Sequence, residues 1–158
     1  MYLRIFFCVL ALWAPSSFAL DIYIGGSETP ALSMNGGNSA VSIPNSSITT
    51  HTPWTDTTVF EGFSLKDLLS ELSLSNADIV AVGLNGYTAV IPSYDIAKFD
   101  PIVAEKRNGK TMKVRDLGPY WIIYPFNKME GTEATRAERR MVWQLKSLRI
   151  KSDGEAQP

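Results

Sequence analysis

Thiol and imidazole are nearly missing from this chain: its 158 residues include one cysteine, Cys8, and one histidine, His51. Cys8 sits inside the apolar run IFFCVLALWA, which follows a single positive charge at Arg4 and precedes Pro15 and the small-x-small triplet Ser17-Phe18-Ala19. That is the pattern of a secretory signal peptide. Residues 1–19 are therefore expected to be cleaved near Ala19, leaving a protein with no disulfide and no thiolate metal ligand, although export would permit a disulfide. The run is shorter than the ~20 residues of a spanning helix. Cys8 lies in mid-run and not at a cleavage site, which argues against a lipid anchor. A soluble periplasmic protein, not itself membrane-inserted, is the expectation. His51 alone, without cysteine or a carboxylate at ligand spacing, does not make a transition-metal site.

An excess of one charge is also missing. Without residues 1–19 the chain keeps 14 Lys and Arg against 16 Asp and Glu, a net charge of −2. That balance gives no electrostatic reason to expect nucleic acid or an anionic membrane as a partner. Gly25-Gly26 and Gly36-Gly37 match neither a phosphate-cradling loop nor a dinucleotide fingerprint, and no serine-nucleophile motif is present. Covalent catalysis has no support in the sequence. No internal repeat, charge block or low-complexity linker divides the chain.

The remaining 139 residues suffice for one domain with a real core. Residues 20–151 are read as that domain and 152–158 as a polar tail. DIYIGG alternates like a short strand, and the Gly/Asn/Ser/Pro-rich stretch from Gly25 to Ser47 reads as turns around a strand at Ala40 to Ile43. Ser64 to Leu72 places leucines at i, i+3, i+4 and i+7 behind Ser64 as N-cap, with Asp67 in place of a capping-box Glu. Strands are expected at Ile79 to Leu84 and Tyr87 to Ile91, joined by Asn85-Gly86 as a type I′ turn. Asn108-Gly109 joins Ile102 to Lys106 and Thr111 to Val114 in the same manner. Tyr120 to Tyr124 and Val142 to Ile150 read as further strands, with a short helix from Thr132 to Arg140. The fold class is α+β: a single domain of mixed or antiparallel sheet with one or two helices.

Five blocks carry a family resemblance. THTPW (Thr50 to Trp54), FEGFSLKDLL (Phe60 to Leu69), LNGYTAVIP (Leu84 to Pro92), GPYWIIYP (Gly118 to Pro125) and RMVWQL (Arg140 to Leu145) resemble, in order and spacing, the molybdopterin-binding fold of sulfite oxidase and its relatives. The resemblance runs from about Ser47 to Ile150. In those enzymes a cysteine four residues before the first Trp binds molybdenum, and Thr50 holds that position here. A hydroxyl is a poor substitute for a soft thiolate at such a metal. Two positions where the enzymes use cations to hold the cofactor's phosphate correspond to Trp121 and Trp143, while Arg140 keeps a neighbouring positive charge.

Indole faces in place of cations suit a flat, uncharged heteroaromatic ligand, each stacked contact being worth about 0.5–1.5 kcal/mol beyond burial. The chain is thus similar to the PruR-type periplasmic pterin-binding proteins. The resemblance implies a non-catalytic protein that binds a non-phosphorylated pterin, holds no molybdenum, and regulates a partner. That partner is the periplasmic domain of a membrane-bound cyclic diguanylate cyclase or phosphodiesterase. The implied ligand site draws on Thr50, His51, Trp54, Asn85, Tyr87, Asp95, Arg115, Trp121, Arg140 and Trp143. Several have a plainer reading: each Trp as core, Asn85 as a turn residue, Tyr87 outside the pocket, and Asp95 as a cap for Ile96 to Phe99. Arg115 and Arg140 can equally sit on the surface, and His51 is most simply a polar residue at the pocket mouth. Two other functions remain: a molybdenum-cofactor-binding oxidoreductase domain or accessory subunit, and a structural interaction domain whose pocket has closed.

Overall fold

A computed structural model describes residues 18–35 and 42–151. Most of the expected signal segment, the tail 152–158 and the first half of the expected strand at Ala40 to Ile43 lie outside the described residues. Ser42 and Ile43 are described and form no strand.

Among the described residues ten strands form two five-stranded sheets, joined by three short α-helices, one more than the upper expectation, and the α+β class expected from the sequence holds. The first sheet orders its strands β2 (Leu32–Met34), β1 (Leu20–Ile24), β10 (Leu145–Ile150), β5 (Ile79–Gly83) and β6 (Thr88–Ile91). Only β1 and β10 pair in parallel, with Ile22 opposite Leu148. The second sheet runs β3 (Asn45–Thr52), β4 (Thr55–Ser64), β7 (Ile102–Arg107) and β8 (Lys110–Thr111), with β9 (Trp121–Ile123) also pairing β7. One hydrophobic cluster joins the sheets. It takes Leu20, Ile22, Ile79, Ala81 and Leu148 from the first and Phe60, Val103, Trp121 and Ile123 from the second. Among the described residues no helix is long and apolar enough to cross a membrane.

Helix α1 (Leu65–Glu71) starts where the leucine spacing and the cap residue place it. The Ser64 hydroxyl accepts the N–H groups of Lys66 and Asp67 at 3.0 and 3.1 Å, satisfying two donors that the first turn leaves orphaned. Leu65, Leu68 and Leu69 are its buried face. Helix α3 (Gly131–Arg140) also matches the expectation.

Three readings need correction. Asn108 and Gly109 both have positive φ, 49° and 74°, and form the expected type I′ turn. At Asn85-Gly86 only Gly86 is left-handed, at φ 81°. Gly86 N–H donates to the Gly83 carbonyl, and the Asn85 side-chain oxygen accepts the Tyr87 N–H at 2.9 Å. The Asn85 side chain thus stabilises a three-residue loop in which its own φ is not positive. Helix α2 (Ser93–Phe99) begins three residues earlier than the segment expected from Ile96, with Pro92 as N-cap. Asp95 is therefore inside the first turn and caps nothing. The strand expected over Val142 to Ile150 begins only at Leu145, because Gln144 takes φ 48° and breaks the extended run.

The stretch Arg140 to Leu145 straps the sheets together. Val142 C=O accepts the Ile122 N–H at 3.0 Å and Leu145 N–H donates to the Tyr120 carbonyl at 2.8 Å. This strap runs along β9 before it enters β10, and it positions much of the candidate site.

Candidate functional site

The three tryptophans among the described residues meet. Trp54 stands in the β3–β4 turn, held by its N–H to the Thr52 hydroxyl at 3.1 Å while Thr52 and Thr55 share a hydroxyl bond at 2.9 Å. Trp143 comes from the strap, and its ring lies 4.8 Å from that of Trp54, edge to face at 70°. Trp121 opens β9 beneath them, 6.0 Å from Trp54 and 5.4 Å from Phe60. Edge-to-face geometry suits the ring quadrupoles. The three indoles differ in accessibility: Trp121 is fully buried, Trp143 half-buried, and Trp54 40% exposed. The Trp121 indole N–H donates to the Met141 carbonyl at 3.1 Å, so no polar atom of this ring is left unpaired below the surface.

Next to this cluster along the strap lies a polar one. Asp95 is 3% exposed on α2. Its Oδ2 accepts the Tyr124 hydroxyl at 2.9 Å and the Arg140 Nη1 at 2.5 Å. Arg140 ends α3, and its Nη2 also reaches the Tyr94 hydroxyl at 3.4 Å, with the guanidinium over the Tyr94 ring. Burial opposes the charge on Arg140, but the Tyr94 hydrogen bond and the Asp95 carboxylate outweigh it and hold its pKa above the ordinary value. Tyr124 is raised far above an ordinary phenol, first by burial and then by the charge and hydrogen bond of Asp95, with Arg140 opposing.

A phenol kept neutral in the folded state gives a definite alkaline signature. The unfolded chain ionises this group near pH 10 while the folded chain does not, so stability is intact below that pH and falls above it. The slope is about 1.4 kcal/mol per pH unit. Tyr124→Phe should remove this part of the alkaline loss; urea midpoints measured between pH 9 and 11 check it, and an unchanged slope in the variant would refute the assignment.

The other expected site residues are placed as follows. Thr50 is fully buried, donating to the His51 carbonyl and accepting the Asn127 N–H, both at 3.0 Å. Its hydroxyl thus fastens the 3₁₀ turn Phe126–Lys128 to β3. His51 is exposed, its ring edge-on to Phe126 at 5.4 Å. Tyr87 is 49% exposed and its hydroxyl donates to the Arg139 carbonyl at 2.8 Å, tying the β5–β6 loop to the end of α3. Asn85 serves the loop described above. Arg115 is on the surface: its side chain is 78% exposed, 3.7 Å from Asp116. Among the described residues no three His, Cys, Asp or Glu side chains gather as a metal-binding group.

Tyr94 and Tyr124 were not anticipated as site residues. Tyr124 lies within the GPYWIIYP block, three positions after Trp121 and directly after β9, whose residues are all buried. No protein-family model matches this chain, and no curated protein matches it.

Proposed function

We propose that this protein is a periplasmic, non-catalytic pterin-binding protein. In this reading it regulates a membrane-bound cyclic diguanylate-metabolising partner according to whether the ligand is bound. The observation that carries the ligand class is the convergence of Trp54, Trp121 and Trp143 from three distant stretches onto one surface-reaching aromatic cluster. A half-exposed indole cluster backed by a buried core offers ring area to a flat ligand without costing the fold its packing. Beside it, the strap carries Arg140 and, through it, the only buried carboxylate among the described residues, Asp95. Aromatic surface with one carboxylate and one guanidinium is suited to a ring system with both N–H donors and a carbonyl.

Molybdenum cofactor fits these residues poorly. Thr50 occupies the position of the thiolate ligand in the resembling enzymes, and its hydroxyl is buried with its donor and an acceptor site already used. Regulation requires that bound and free forms differ in partner affinity, and by linkage the partner then changes ligand affinity by the same factor. The segment from Phe126 to Arg136 leads into the strap and is the natural element to transmit occupancy.

An oxidised pterin should quench tryptophan emission saturably, since a stacked ring accepts the excitation at short range. Trp143→Ala should weaken pterin binding about three- to tenfold, the equivalent of one aromatic contact, and should weaken ligand-dependent partner binding with it. Unchanged emission in a titration where calorimetry detects binding would sink the stacking site. Equal pterin affinity with and without the partner's soluble domain would make the protein a carrier and not a sensor.

A further inference from the structure

Asp95 carries more hydrogen-bonding capacity than the fold uses. Both of its side-chain bonds fall on Oδ2, and Oδ1 has no partner. The carboxylate nonetheless sits 96% buried at the wall of a cavity of about 120 Å³, bounded by Tyr94, Phe99, Glu133, Arg136 and Arg140. No buried side-chain nitrogen or oxygen among the described residues lacks a partner, so the unbonded Oδ1 is the part of this carboxylate that opens on the cavity, where a ligand's donor can reach it. The cavity offers aromatic walls from Tyr94 and Phe99, and at single-ring size it is well below the roughly 300 Å³ of a drug-sized pocket.

The guanidinium of Arg140 is a planar fork of N–H donors, the group best matched to a carboxylate. An aminopyrimidinone ring presents the same feature along one edge: an exocyclic amino group beside a ring N–H, parallel and coplanar. We infer, building on the pterin reading above, that Asp95 is the seat for the aminopyrimidinone edge of the ligand, and that Arg140 holds one of its two oxygens in the free protein. Ligand binding then exchanges the single Arg140 N–H on Oδ2 for a flat pair of donors that spans both oxygens. Tyr124 keeps its bond to Oδ2 throughout, while Arg140 swings toward the Tyr94 hydroxyl that it already touches.

This exchange makes occupancy visible to the rest of the molecule. Arg140 is the last residue of α3 and the first of the strap, and Lys98 on α2 pairs with Glu133 on α3 across the same cavity. Releasing Arg140 frees the end of α3 from α2, leaving the Lys98–Glu133 pair at a solvent-exposed position as the remaining ionic tie. The apparent affinity is also reduced by whatever fraction of molecules holds Arg140 on Asp95.

The test uses isocytosine, which is the aminopyrimidinone ring alone and has no second ring to stack on the indoles. Calorimetry on the purified protein at pH 7.5 should show Arg140→Met binding isocytosine at least about fivefold more tightly than the unsubstituted protein, the lower end of ordinary coupling between sites. Asp95→Asn should abolish detectable binding. If Arg140→Met does not fold, Arg140→Lys should give a smaller gain in the same direction, since an ammonium keeps the charge but lacks the second nitrogen that ties Arg140 to Tyr94. Equal or weaker binding by the folded Arg140 variant overturns the exchange. Pterin titrations of the unsubstituted protein separate the two proposals. If pterin binds there but more weakly to the Arg140 variant, the exchange fails and the pterin reading stands; if no pterin binds while isocytosine follows the expected order, the seat stands and the pterin reading fails.

Discussion

Gly62→Ala should leave the protein unable to reach its native state. A Cβ at Gly62 would lie 1.9 Å from the Val103 carbonyl oxygen and 2.8 Å from the Ala104 Cα, both backbone atoms of β7. No side chain can turn aside to relieve this. Strand β7 approaches so closely because the β4–β7 register shifts between Glu61 and Gly62: Glu61 faces Lys106, but Gly62 faces Ala104. The extra residue bends the pair at that point. Making room means parting two central strands of the second sheet, at a cost comparable with the whole stability of a domain, about 5–15 kcal/mol. Gly86→Ala is the control. That position has nothing within 4 Å, but its φ is 81°, so only the left-handed backbone penalty of about 1–2 kcal/mol applies. Circular dichroism and urea midpoints of the two variants should differ sharply, and a cooperatively folding Gly62→Ala protein would show that the close approach is not required.

Trp121→Ala should be the most destabilising of the tryptophan substitutions, at about 3–5 kcal/mol. The ring is fully buried against Phe60 and Trp54, and its loss leaves a cavity together with a Met141 carbonyl without its donor. A melting temperature lower by at least about 10 °C is expected for a domain of this size. Trp54→Ala, at an exposed turn, should cost about 1 kcal/mol or less while reducing pterin binding. Stability and ligand affinity are therefore expected to separate along the cluster. On the proposed function, Trp121 is expected to serve mainly stability, Trp54 mainly binding, and Trp143 both. Thermal melts with pterin titrations on all three variants check this ordering, and an equal loss of stability at Trp54 and Trp121 would remove the distinction.

The elements that could be read from sequence were those set by neighbours in the chain. The Ser64 cap with its leucine spacing and the Asn108-Gly109 turn depend on contacts within a few residues, and both came out as expected. Asn85-Gly86 has nearly the same local signal, yet a side-chain bond from Asn85 to Tyr87 selects a different loop. The β3–β4 hairpin was passed over because NSSITTHT contains a single aliphatic side chain; β3 is an edge strand whose burial alternates, but its inward positions are Ser46, Ile48, Thr50 and Thr52. Within the site, the gathering of the tryptophans followed the order of the resembling blocks. The role of Asp95 could not be read, since its partners Tyr124 and Arg140 lie 29 and 45 residues away. A carboxylate at the start of a helix looks the same in sequence whether it caps the helix or anchors a distant cation.

The placement of β10 governs when this chain can fold. The last strand is inserted between β1 and β5, pairing in parallel with the first strand on one side and antiparallel with β5 on the other. Until residues 145–150 emerge, β1 has only the three-residue β2 beside it and the first sheet lies in two pieces. Contacts of such long sequence separation form late and slowly. A growing or threading chain therefore stays open until β10 arrives, a timing that fits the export proposed above.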